Sequence, residues 1–237
     1  MKKKLLSLII FAFVFMAVTG CGNNSAKPNS TGSNTSSGTN TNNNSSNSKT
    51  SKKSGADLEK NIKSSGAVTD LGKLVVFVTN GNDVAVDMEI EVEFYDANGT
   101  IVGSDSEDLQ AVGANADVAI DMWSTPESFD NYKIYVDVKQ TTNYSYFDKL
   151  ELIHNNNGKE IAVQVKNNSN DTIEYITVSV VYYQGDKVVG YDDGIESDIK
   201  AGRSGNFTLD FPYNKRYDNI HFDNYKVFIT EAYSYNW

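Results

Sequence analysis

The sequence predicts an all-β protein, and three of its features predict that class. Met88, Ile90, Val92 and Phe94 alternate with Asp87, Glu89, Glu91 and Glu93, a period of two that fits a half-buried strand and not a helix. The run Phe129-Asp130-Asn131-Tyr132-Lys133 recurs identically as Phe222-Asp223-Asn224-Tyr225-Lys226, so the chain contains two copies of one unit. Helical periodicity is absent apart from a candidate turn at Ala56 to Ile62.

Taken in order, each element of the first copy has a counterpart in the second. Leu74, Val76 and Val78 match Ile161, Val163 and Val165, and Val78-Thr79-Asn80 corresponds to Val165-Lys166-Asn167. The alternating strand 88–94 matches Ile176, Val178, Val180 and Tyr182. Asp96-Ala97-Asn98-Gly99 and Gly185-Asp186 read as hairpin turns. They lead into Ile101-Val102-Gly103 and Val188-Val189-Gly190. Ile120 and Met122 match Leu209 and Phe211, Ile134 and Val136 match Val227 and Ile229, and Tyr144-Ser145-Tyr146 matches Tyr233-Ser234-Tyr235. The offset drifts between 87 and 93, as it does when loops vary in length and strands do not. Each unit is large enough for one sandwich core to stand alone. Short strands separated by frequent turn signals predict two tandem immunoglobulin-like antiparallel β-sandwich domains, 55–147 and 148–237, behind a disordered tether.

The front of the chain is of another kind. Lys2, Lys3 and Lys4 precede an apolar run from Leu5 to Val18, about the length of a signal-peptide core and short for a bilayer span. The run ends at Val18-Thr19-Gly20-Cys21, which resembles the lipobox of bacterial lipoproteins. That resemblance implies cleavage after residue 20, diacylglycerol on Cys21, and anchoring to the extracytoplasmic face of the cell membrane. Residues 22–54 are almost entirely Asn, Ser, Thr, Gly and Lys and cannot bury enough apolar area to offset the entropy of ordering. With the lipidated cysteine they form a tether, 21–54. The Asn- and Lys-rich, Arg-poor composition points to a Gram-positive source.

Cys21 is the only cysteine, so neither domain holds a disulfide or a cysteine-ligated metal. Seven of the 21 basic residues precede residue 55 while all 31 acidic ones follow it, leaving the body 14 cations against 31 anions, a balance of −17. Such a surface repels phosphate backbones and anionic headgroups, which argues against nucleic acid as a partner.

Strand, Asn-rich turn, alternating strand, Phe94-Tyr95-Asp96-Ala97-Asn98-Gly99 and a later Ala201-Gly202 turn together resemble the FxLYD-type domains of bacterial lipoproteins. Those are immunoglobulin-like modules found in tandem on Gram-positive surfaces. The resemblance implies a surface location and a non-catalytic module. The second copy departs from it at Tyr182-Tyr183-Gln184-Gly185, and the first has Val112-Gly113 where the glycine turn is expected.

No catalytic constellation is visible. His154 and His221 fall at unrelated repeat positions, and Gly202-Arg203-Ser204-Gly205 is one residue short of a nucleophile elbow. The expectation is a protein that is not an enzyme, needs no cofactor, and binds an unknown surface or envelope partner; the rival expectations are a structural spacer and a carbohydrate-binding accessory module. Three residue sets are candidates for contact. The outward stripe Tyr175, Thr177, Ser179, Val181 and Tyr183 has the rigid amphipathic character of interfaces. It either meets a partner or packs on the first copy or the tail, whereas the matching face of the first copy is acidic and non-sticky. Asp105, Glu107 and Asp108, with Asp192, Asp193, Glu196 and Asp198, are candidate calcium ligands. Trp123, Tyr191, Tyr213, Tyr217 and Trp237 are candidate rings for stacking on a glycan. A single sandwich of this size is expected to offer no deep groove.

Overall fold

A computed structural model describes residues 55–237. The signal segment, Cys21 and the tether lie outside the described residues. The body is all-β: one short helix, α1 (Gly55–Glu59), and thirteen strands. The first copy comprises β1 (Ile62–Val68), β2 (Leu74–Asn80), β3 (Val86–Tyr95), β4 (Ile101–Val112), β5 (Asp117–Met122) and β6 (Asn131–Gln140). A two-residue strand, β7 (Tyr144–Ser145), and a single 3-10 turn, Phe147–Lys149, lead into the second copy. That copy comprises β8 (Leu150–Asn156), β9 (Glu160–Asn167), β10 (Ile173–Gln184), β11 (Lys187–Ile199), β12 (Ser204–Asp210) and β13 (Asn224–Ser234).

The two copies share one topology. In the first, a sheet of order β1-β2-β5 lies over one of order β4-β3-β6; in the second, β8-β9-β12 lies over β11-β10-β13-β7. All pairings are antiparallel. Each sandwich has its own core. Val76, Ile90, Val92, Phe94 and Ile120 belong to the first, and Val163, Ile176, Val180, Tyr182 and Leu209 to the second.

The repeated residues recur because they do the same work twice. Asn80 and Asn167 end β2 and β9 with no exposed surface. The Asn80 amide donates to the carbonyls of Val84, Val112 and Gly113 at 2.8–3.1 Å. The Asn167 amide donates to Asp171 and Ile199, both at 2.8 Å. Each side chain thereby pins the next loop and the end of the fourth strand, supplying partners for carbonyls that burial would otherwise leave unpaired. Phe129 sits edge-on to Phe94 at 4.9 Å, and Phe222 lies 4.8 Å from Tyr182. The amides of Asp130 and Asp223 donate to Tyr95 and Tyr183 respectively, at 2.8 and 2.9 Å. Gly103 and Gly190 lie under prolines: an added Cβ would stand 2.7 Å from Pro126 and 2.2 Å from Pro212.

The chain leaves the first sandwich before residue 147. Tyr144 and Ser145 pair with Ser234 and Tyr233, so the repeated Tyr-Ser-Tyr motifs run side by side. Tyr146 is already in the second core, and Phe147 touches both. A third apolar cluster joins the sandwiches: Val75, Ala119, Val181, Val188 and Phe228 are all buried, with Ala67, Phe77, Tyr183 and Tyr191 around them. Both copies accordingly belong to one compact unit. Among the described residues no helix is long and apolar enough to cross a membrane.

Candidate binding groove between the repeats

Sheet β1-β2-β5 turns its outer face toward the outer face of sheet β11-β10-β13. Val75 and Phe77 come from β2 and Ala119 from β5; Val181 comes from β10, Val188 from β11 and Phe228 from β13. The rings of Phe77 and Phe228 are 6.3 Å apart. Strand β5 is the edge of its sheet, and its Ala119 carbonyl points across the junction. It accepts from Ser179 Oγ at 2.9 Å and from Thr230 Oγ1 and Tyr191 Oη at 3.4 Å. Two ion pairs flank the contact, Lys187 with Asp70 and Lys226 with Asp117.

This placement decides between the two uses expected of the stripe: it packs on the first copy. Ser179 and Val181 have no exposed surface, Thr177 is buried, and Tyr175 and Tyr183 are half-buried. The stripe is where the second sandwich seats the first. The matching face of the first copy does remain open: Glu89 and Glu91 are exposed. Glu89 lies between Asp108 on β4 and Asp137 on β6 in register.

The candidate calcium ligands do not assemble into one cation site, although Glu107, Asp108, Asp192 and Asp193 line adjoining hollows at the junction. A strand sends successive side chains to opposite faces, so Asp192 opposite Val180 and Asp193 opposite Ser179 part company. Asp105 is occupied by the backbone amides of Ser106 and Ser124, at 3.1 and 2.7 Å. Asp192 accepts from the Asp210 amide at 2.6 Å. Asp198 is held at a positive φ of 57°, as is Ala111 at the matching place in the first copy, at 50°. Among the described residues no group of three or more acidic, His or Cys side chains is placed to hold a metal ion.

Three of the five candidate stacking rings do converge. Beside the apolar contact the sandwiches part to leave a groove of about 300 Å³, walled by Trp123 from the first copy and Tyr191 and Tyr213 from the second. It continues into a second hollow of about 280 Å³ that shares Asp121, Trp123, Tyr191 and Asp193 and adds Tyr175 and Glu231. Trp123 is 70% exposed, and Tyr213 is stacked on Tyr217 at 5.7 Å and 22°. Trp237 lies outside the groove lining and packs on Tyr235, 5.1 Å away. The groove lies between the two sandwiches, a place that the expectation for a single sandwich did not cover.

The floor of the groove is acidic. Among the described residues Asp121 from β5 and Asp193 from β11 form no ion pair, and Lys73, the one cation among them in the lining, only partly offsets the charge at Asp121. The Lys73 ammonium donates to the Trp123 carbonyl at 2.5 Å. Burial, and then the charge of Asp193, push the Asp121 carboxyl up to about 6. Burial raises Asp193 as well. Glu231, 7% exposed, accepts from the Gln110 amide at 2.6 Å and the Thr177 hydroxyl at 3.3 Å, yet burial still pushes it up to about 7. Burial and the nearby Asp193 and Asp121 raise the Tyr191 hydroxyl well above its ordinary value. Aromatic faces beside carboxylates that outnumber the one lining cation suit a ligand with C–H faces to stack and O–H or N–H groups to donate. Sequence reasoning reached Trp123, Tyr191, Tyr213 and Asp193, but not Asp121, Thr177 as a support for Glu231, or Glu231 itself.

No protein-family model matches the chain, and no curated protein matches it in sequence.

Proposed function

We propose that this chain is a non-catalytic surface lipoprotein, held on the extracytoplasmic face of the membrane by the lipid on Cys21, that binds an envelope saccharide in the groove between its two FxLYD-like repeats. One observation carries the reading: Trp123 and Tyr213, from opposite copies, line one groove with the carboxylates of Asp121 and Asp193, which have no ion-pair partner among the described residues. Sugar rings stack on aromatic faces through their C–H groups, and their hydroxyls donate to carboxylates. The acidic floor and the balance of −17 in the body favour neutral or amine-bearing sugars over phosphate-bearing polymers. The rival reading is a spacer that binds nothing.

The test uses the exported chain, 21–237, with Cys21→Ala, in affinity electrophoresis through gels containing neutral, amine-bearing or phosphate-bearing envelope polysaccharides. Retardation by one of the first two classes, abolished by Trp123→Ala with Tyr213→Ala at unchanged circular dichroism, is the expected result. Free migration in all gels, or retardation that the double variant keeps, sinks the groove as the site.

A further inference from the structure

The same five-residue turn is built at 69–73, 96–100 and 214–218. In each, the amide of the first residue donates to the carbonyl of the fifth at 2.8–2.9 Å, and the amide of the fourth donates back to the carbonyl of the first at 2.9–3.0 Å. In each, a side-chain oxygen of the first residue also accepts from the amide of the fifth: Thr69 from Lys73 at 3.2 Å, Asp96 from Thr100 at 2.8 Å and Asn214 from Asp218 at 3.1 Å. The fourth residue is left-handed every time, Gly72 at a φ of 81°, Gly99 at 80° and Tyr217 at 63°. A Cβ is penalised in that conformation and glycine avoids the penalty. Tyr217 thus stands, bulky and strained, where the other two turns have glycine.

Core packing does not account for the ring. Tyr217 is 83% exposed, and its one ring contact among the described residues is Tyr213, nearly parallel to it. Tyr213 in turn walls the groove. The loop that carries the two rings is held at its base, where the Ile220 amide donates to the Pro212 carbonyl at 2.7 Å and Tyr213 bridges to Asn219. Two stacked rings therefore lead from the groove to open solvent. A left-handed backbone that displays a ring while burying little of it is the kind of outlier that a binding role explains.

We propose that Tyr217 is an outer stacking platform of the groove, so that the site grips a saccharide chain over successive sugar units and not a single terminal one. The inference rests on the saccharide reading of the groove. One unit lies against Trp123 and Tyr213, and a following unit lies with its C–H groups on the open face of Tyr217. Tyr213 covers the other face and holds the ring in place, so little side-chain freedom is lost on binding. At its far side the groove runs on past Trp123 and Tyr191 into the hollow that Tyr175 lines. This elongated shape suits a chain.

The test uses the exported chain, 21–237 with Cys21→Ala, in the polysaccharide gels that retard it. Tyr217→Gly is expected to weaken retardation by about two- to tenfold. Its thermal midpoint should hold or rise, because glycine suits the left-handed position. Tyr217→Phe, which keeps the ring face, is expected to be retarded like the parent. Fragments cut from the same polysaccharide and added as competitors should gain potency with length against the parent, and gain less against Tyr217→Gly. Unchanged retardation of Tyr217→Gly, loss of it in Tyr217→Phe, or a single sugar unit that competes as well as longer fragments overturns the platform and leaves the groove of Trp123 and Tyr213 standing. Weakened retardation of Tyr217→Gly with a lowered midpoint makes the ring a structural cap on Tyr213 and overturns the platform as well. Free migration of the parent in every gel removes the saccharide reading and this inference together.

Discussion

Ser179 donates a 2.9 Å hydrogen bond to the carbonyl of Ala119, joining the middle of one repeat's strand to the edge of the other's. A serine on the outward face of a strand is ordinarily solvated. Here it has no exposed surface, and its hydroxyl supplies the partner that an edge carbonyl loses when water is excluded.

Val181 lies beside it and separates the two uses of the stripe. Val181→Asp is expected to cost about 2–4 kcal/mol in urea unfolding, because it buries a carboxylate against Val75 and Phe228 while its cross-strand neighbour Lys226 is already paired with Asp117. A change within about 0.5 kcal/mol would mean that the face is solvated in solution.

Asn80→Ala and Asn167→Ala are each expected to destabilise by about 2–3 kcal/mol, since each strands buried carbonyls at the ends of two strands. Hydrogen exchange should locate the loss in the altered copy first. Uniform loss across both copies would show that the sandwiches unfold as one.

Stability should fall as pH rises. Glu231 is held at about 7 in the folded chain, above the ordinary value of about 4.3 in an unfolded one. The folded state therefore binds more protons between those values. Its advantage is full below the lower value and is lost on passing the upper one, a difference on the order of 1–3 kcal/mol. The thermal midpoint should thus drop by a few degrees between about pH 5 and about pH 8, and Glu231→Gln should flatten the slope. A midpoint that climbs over this range would contradict the burial described for Glu231.

Trp123→Ala should leave stability within about 0.5 kcal/mol, since the ring is 70% exposed, while reducing saccharide affinity at least tenfold. A large stability loss with affinity intact would make the indole a structural cap.

Cys21→Ala in the producing cell should move the protein out of the membrane fraction. If it still sediments with membranes after a high-salt wash, the lipid on Cys21 is not the anchor.

The strands were legible because burial imposes a period of two, as at Met88 to Phe94, and the shared topology because the same side chains solve the same problem twice, as Asn80 and Asn167 do. The first strand of each copy was not, since β1 has the run Lys63-Ser64-Ser65-Gly66 and β8 ends in Asn155-Asn156, with little apolar alternation to read. Nor was the groove. It depends on how one sandwich seats on the other, which no local pattern encodes. The hint was the contrast on the outward faces, where Ser179 and Val181 replace the carboxylates of the first copy. The acidic runs after Gly103 and Gly190 misled, because adjacency along a strand separates side chains in space.

The segment that enters each repeat also lies against that repeat's last strand: α1 packs on β6, with Gly55 close to the Val138 carbonyl, and β7 pairs with β13. The entering chain thus works as a stopper on an edge that would otherwise invite a neighbour's strand. A protease that trimmed the chain up to Gly55 would leave an intact, non-associating body. One that cut past Glu59 would uncork β6 and leave bodies prone to stick to one another, so a difference of a few residues in the position of the cut would decide whether the body remains dispersed.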